Sequence, residues 1–203
     1  MPNAWVKNRK KEHYYRKAKK EKLRSRASYK LLQAVKKYKF ITPGYVVVDL
    51  GAAPGGWTQA ARKLVGDSGF VLAVDLKTIE PLDAPNVRTI IGDVSEPQTI
   101  QSILEFLPRS ADIVVSDVSP NVSGVWELDH ARQIDLARQS LRIAASILRS
   151  GGNFFVKAFQ GSMLNAFVDE VRQHFGFVKM VKPKASRSKS AELYVLGMNF
   201  KRP

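Results

Sequence analysis

Apolar runs of about five or six residues recur along this chain, separated by stretches in which hydrophobic positions fall three and four apart. The runs at 45–50, 70–75, 87–91, 112–116 and 153–158 have the length and β-branched content of buried strands. The stretches 57–65, 97–107, 130–149 and 162–174 predict helices with one buried face. Upstream, 25–38 reads as a helix with Leu31, Leu32 and Val35 on one side and lysines on the other. Gly151-Gly152 is expected to end the long helix. Two more β-rich runs, 177–181 and 192–200, are joined by a polar loop with no crossover helix, so they should pair antiparallel. This alternation predicts an α/β fold: a Rossmann-like, mostly parallel sheet of seven strands closed by a C-terminal antiparallel hairpin.

The turn after the first run is the most specific local signal. Asp49–Gln59 reads DLGAAPGGWTQ, a glycine-rich corner between strand and helix, where open α/β sheets bind nucleotide-like ligands. Gly51, Gly55 and Gly56 are read as positions that clear space for a ligand, and Asp49 as a carboxylate facing the same crevice. The spacing departs from GxGxxG, which disfavours a pyrophosphate cradle and with it a nicotinamide oxidoreductase. A ligand without a pyrophosphate, such as S-adenosylmethionine, fits better. Asp75 ends the second run, where an acid can accept both hydroxyls of a ribose. Asp93 follows the third run, placed for an adenine edge. One such acid could be a solvated strand end, but Asp49, Asp75 and Asp93 would all open onto one crevice.

Composition narrows the function classes. A chain of 203 residues, 44% hydrophobic, is expected to form one domain with a full core. It has no cysteine, which excludes disulfides, thiolate metal sites and a thiol nucleophile. His13, His130 and His174 are far apart in sequence, so no metal site is expected. No apolar run approaches the roughly 18 residues of a membrane span, and the charged N-terminus lacks a signal-peptide segment, so the expectation is a cytoplasmic protein. The formal net charge is +15, and residues 1–39 hold 15 Lys/Arg against two acids, Glu12 and Glu21. With Tyr14 and Tyr15 among the lysines, this segment predicts salt-sensitive nucleic-acid binding. It lacks the apolar face that a membrane-surface helix requires. The chain therefore divides into a basic, partly disordered RNA-binding arm over 1–24 and a single domain over 25–203. A second basic cluster comprises Lys179, Lys182, Lys184, Arg187 and Lys189.

Two charged residues stand out against the apolar strands. Asp117 follows the fourth run in SDVSPN, and Lys157 interrupts the fifth in FFVKAFQG. Strands of this kind are buried on both faces, so an interior lysine needs a partner or a function. Taken together, DLGAAPGGWTQ, SDVSPN, VKAFQG and the late SRSKSAELYV resemble the FtsJ/RrmJ family of RNA 2′-O-ribose methyltransferases, RlmE type, over about residues 24–200. The resemblance implies the class I S-adenosylmethionine-dependent methyltransferase fold and a Lys-Asp-Lys-Glu tetrad, here Lys30, Asp117, Lys157 and Glu192. It also implies cofactor contacts at Gly55, Gly56, Trp57, Asp75, Asp93 and Asp117. The implied substrate is a uridine ribose in the A-loop of large-subunit rRNA, within the 50S particle, and the enzyme is expected to act as a monomer. Alternatives within this reading are a tRNA anticodon-loop methyltransferase and a non-catalytic RNA-binding protein on the same fold. The basic arm and the second cluster would do the docking.

The chemistry follows from the residue types. A ribose hydroxyl is a weak nucleophile, and a lysine can take its proton only when neutral, against a free-lysine pKa of about 10.4. A second lysine and desolvation favour the neutral form, while Asp117 opposes it. Lys157 is therefore read as general base or close-range activator, Lys30 as a positioner of hydroxyl or phosphate, and Glu192 as a holder of one lysine.

Overall fold

The computed structural model describes residues 13–187 and 190–202. Its sheet contains β1 (Val46–Leu50), β2 (Phe70–Asp75), β3 (Val87–Ile91), β4 (Ala111–Ser116), β5 (Leu148–Phe159), β6 (Phe175–Val181) and β7 (Glu192–Phe200). The strand order is β3-β2-β1-β4-β5-β7-β6, and β7 runs antiparallel to both of its neighbours. β1, β4 and the inner part of β5 are buried on both faces, which is why they read as unbroken apolar runs. On one face lie α2 (Ser28–Tyr38) and α3 (Gly56–Val65), packed on Val47, Ile113, Phe155 and Tyr194. On the other lie α4 (Pro97–Phe106), α5 (Trp126–Ile147) and α6 (Leu164–His174), packed on Val48, Val114 and Phe154. Among the described residues no helix is long and apolar enough to cross a membrane.

Both ends of α5 and the N-terminal segment differ most from the sequence reading. Gly151-Gly152 does not end α5. The helix stops at Ile147, and Leu148 is already extended and paired with Ala111 in the core. Between that pair and Ile113↔Asn153 the register shifts, and the two glycines carry the bulge. Gly151 has φ +75, and a Cβ on Gly152 would sit 2.9 Å from the Arg149 carbonyl oxygen. At its other end α5 starts at Trp126, four residues earlier than 130. Asp129 accepts hydrogen bonds from Ser123 N, Ser123 Oγ and Gly124 N, and so ties the preceding loop to the first turn. The exposed Trp126 and Leu128 break the apolar periodicity there.

The expected arm over 1–24 also divides. Residues 1–12 lie outside the described residues, as does Lys189. Residues 13–20 are helical (α1), and Ala18 and Leu23 are buried against Tyr29 and Ala185. Gln33 of α2 clamps both sides: its amide donates to the Tyr14 hydroxyl at 2.8 Å and accepts from Ala185 N at 2.9 Å. The second half of the basic segment therefore packs on α2 and on the β6–β7 loop.

Candidate active site

The carboxyl ends of the parallel strands and the amino end of the reversed β7 meet along one edge of the sheet. Alternation along the strands decides which side chains meet there. Lys157 pairs with Tyr194, and Phe159 with Glu192, so Lys157, Glu192 and Tyr194 share the face covered by α2 and α3. Asp117 follows β4 on the adjacent strand, and Lys30 projects from α2.

These side chains form two ion pairs joined by a phenol. Lys30 Nζ lies 2.7 Å and 2.8 Å from the two Glu192 carboxylate oxygens. Ser186 Oγ donates to the same carboxylate at 3.0 Å. Lys157 Nζ donates to the Asp117 carbonyl oxygen at 2.7 Å and lies 3.3 Å from Asp117 Oδ1. Tyr194 hydroxyl donates to that Oδ1 at 2.8 Å, and Lys30 Nζ sits 5.9 Å above the Tyr194 ring. Lys157 is only 6% exposed, so its partnership with Asp117 is what makes burial of the charge tolerable. Burial pushes the Glu192 carboxyl up, but Lys30, Lys157 and Ser186 outweigh it and hold the group below its ordinary range. Burial, reinforced by Asp117 and Glu192, pushes the Tyr194 phenol well above its usual value, so it remains a donor.

The acids at the other strand ends differ in accessibility. Asp75 is half-buried, and its two oxygens accept from Ala53 N and Lys77 N, each at 2.9 Å. Asp93 accepts from Ser95 N and Ser95 Oγ through Oδ1. Asp49 corrects the sequence reading. It does not face the crevice but is fully buried beneath it, with Oδ2 accepting from Thr58 Oγ1 at 2.7 Å. Its Oδ1 has no hydrogen-bond partner among the described residues. Burial, with Asp117 and Asp75 adding to it against the Thr58 hydrogen bonds, pushes the Asp49 carboxyl up to about 8.

The glycines also have a different immediate neighbour from the one expected. A Cβ on Gly51 would meet Val118 at 2.7 Å, one on Gly55 the Arg24 guanidinium at 2.8 Å, and one on Gly56 Ser25 at 2.7 Å. The space they clear is filled by protein: Val118 at Gly51, and residues 22–28, which lie across the turn, at Gly55 and Gly56. Arg24 donates to the carbonyls of Pro54, Glu80 and Pro81, joining the β1–α3 turn to the loop after β2. Trp57 is 3% exposed and stacked near Phe155, with Nε1 donating to the Ala27 carbonyl. Its side chain is core, so only its backbone can meet a ligand. Tyr194 and Arg24 were not found by sequence reasoning. Tyr194 was findable, because it lies two residues beyond Glu192 and so on the same strand face.

The donor set suits S-adenosylmethionine. Asp75, Asp93 and Asp117, at the ends of β2, β3 and β4, offer acceptors for hydroxyls, amines and a cationic centre. The first-turn amides of α3, at Gly56 and Trp57, lack acceptors within the helix and suit a carboxylate.

The sequence profile of the FtsJ-like methyltransferase family matches residues 23–200. The chain is 50% identical over 196 residues to ribosomal RNA large subunit methyltransferase E of Methanococcus aeolicus, covering 97% of this chain and 73% of that one. It is 48% identical over 201 residues to the protein of the same name from Methanothermobacter thermautotrophicus, covering 99% and 95%. Among solved structures it resembles one from Plasmodium falciparum, described as a ribosomal RNA methyltransferase. That match has a TM-score of 0.78 and 26% identity, and covers 89% of this chain and all of the other.

Proposed function

We propose that this chain, which belongs to the FtsJ-like methyltransferase family and is an S-adenosylmethionine-dependent methyltransferase, methylates a ribose 2′-hydroxyl of large-subunit rRNA. The specific target in this reading is a uridine ribose of the A-loop, reached in the 50S particle by a monomeric cytoplasmic enzyme. The observation that carries the reading is Lys157, a buried lysine whose Nζ is held by both the carbonyl and the carboxylate of Asp117 at the ligand edge of the sheet.

The cofactor supplies an electrophilic methyl group on a sulfonium. Asp75 and Asp93 would hold its hydroxyl and amine donors, and Gly56 and Trp57 amides its carboxylate. Lys157 orients the attacking ribose hydroxyl and receives its proton in the neutral form, so the rate should rise with pH if deprotonation is limiting. Asp117 fixes Lys157, and Tyr194 fixes Asp117. Glu192 holds Lys30 beside them, where its ammonium can position the ribose or an adjacent phosphate. The absence of cysteine removes a thiol-adduct route to carbon methylation of a base. Outside the site, the basic residues of α1 and of the β6–β7 loop supply phosphate contacts.

Competitive methylation of 50S particles, naked rRNA and bulk tRNA, at equal nucleotide concentration and near-physiological salt, tests the target. Fastest transfer into the 50S particle is expected. Faster transfer to a tRNA anticodon-loop ribose would overturn it.

A further inference from the structure

Across β7 from the catalytic pairs lies a cavity of about 540 Å³. Its walls include Trp126, Gln160, Met180, Lys182 and Leu193. Ala191 and Leu193 flank Glu192 in the chain, so the cavity and the Lys30–Glu192 pair occupy opposite faces of the same strand end. Trp126 is braced by His130 and by Phe159, each ring centroid 6.0 Å away, yet remains 44% exposed. Phe159 is the register partner of Glu192 and stands two residues beyond Lys157, so one ring of the brace sits on the strand that carries the buried lysine. An indole held in place by two rings loses little freedom when something stacks on it. Nothing in the core explains why so large an apolar ring stays exposed at the start of α5.

The rim chemistry points to one kind of occupant. Met180 is 47% exposed and adds a polarizable wall. Gln160, exposed at the mouth, carries both a donor and an acceptor. Lys182 Nζ donates to the Ser190 carbonyl at 2.8 Å and keeps further donors for an anion, with Lys179, Lys184 and Arg187 in the same segment. A flat apolar wall, an amide and a cationic rim are the parts that bind a single-stranded nucleotide. We infer that the Trp126–Met180 cavity receives the unstacked base of a nucleotide neighbouring the methylated ribose. The inference rests on the RNA reading above. It adds a stacking site beside the catalytic pairs that orients the strand so that one ribose, rather than its neighbours, faces Lys157.

The test uses the full chain and two probes of equal length and charge, an oligouridylate and its abasic counterpart. Wild type should bind the base-bearing probe about tenfold more tightly, in the range found for stacking of a base on an aromatic side chain. Trp126→Ala should lose most of that preference while keeping its affinity for S-adenosylmethionine, and Trp126→Phe should retain most of it. A folded Trp126→Ala protein with an undiminished preference would overturn the inference. So would a variant that keeps the preference but transfers methyl poorly to 50S particles, because the cavity would then hold a ribosomal protein. Absence of transfer to large-subunit rRNA by wild type would instead overturn the target, and is read separately from the oligonucleotide binding.

Discussion

Tyr194 donates its hydroxyl to Asp117 Oδ1 at 2.8 Å, the same oxygen that lies 3.3 Å from Lys157 Nζ. The phenol is fully buried and stays protonated, so it serves Asp117 as a fixed donor. Tyr194→Phe keeps the ring in contact with Trp57 and Phe155 but removes that donor. Loss of one partner from a largely buried carboxylate costs about 1–3 kcal/mol at most. The expected result is a kcat lowered roughly tenfold and a melting temperature lowered by a few degrees, with S-adenosylmethionine affinity little changed. An unchanged single-turnover rate would remove Tyr194 from the positioning of Asp117.

Asp75 accepts from Ala53 N and Lys77 N and would also accept from the cofactor ribose. Asp75→Ala removes a charged acceptor and releases two loop amides, so S-adenosylmethionine affinity should fall tenfold or more, about 1.5–3 kcal/mol for a charge-assisted bond. Titration calorimetry measures this. An unaltered affinity would place the ribose elsewhere.

Asp49 gives the apo protein a specific pH signature. Its folded-state pKa, about 8, is above its unfolded value. The folded state therefore binds the extra proton between these values, and the contribution to stability is fully present below about pH 4 and lost as pH rises through the folded pKa. Asp49→Asn keeps an acceptor for Thr58 and cannot ionise. The unfolding free energy of wild type minus that of the variant should decline by a few kcal/mol as pH rises from about 4 to 9. Chemical denaturation across that range reads it, and a flat difference would show that Asp49 is not buried in its uncharged form.

The strand ends were legible because strand periodicity is short and the runs are strongly apolar, and Lys157 was legible because it breaks one of them. The resemblance put Lys30 and Glu192 in one tetrad but left open which lysine Glu192 holds, since 162 residues separate the pair and only the reversed β7 brings them together. Glycines signal that something approaches closely but not what. At Gly55 the approaching group is Arg24, from the segment that composition alone marks as an arm, and at Gly56 it is Ser25, the first residue after that segment. The early start of α5 was hidden because Trp126 and Leu128 face outward, so the helix begins before its apolar period does.

The central claim is that the Lys157–Asp117 pair activates a ribose hydroxyl of large-subunit rRNA. The most direct measurement incubates 50S particles with tritiated S-adenosylmethionine and either wild type or Lys157→Ala, then hydrolyses the rRNA with alkali. A 2′-O-methyl group blocks cleavage of its own linkage, so wild type should place the label in one alkali-resistant dinucleotide. Lys157→Ala should leave almost none, while binding the cofactor within a few-fold of wild type. Label in alkali-released mononucleotides carrying a methylated base, or the same resistant dinucleotide labelled at near-normal rate by the variant, would contradict the account.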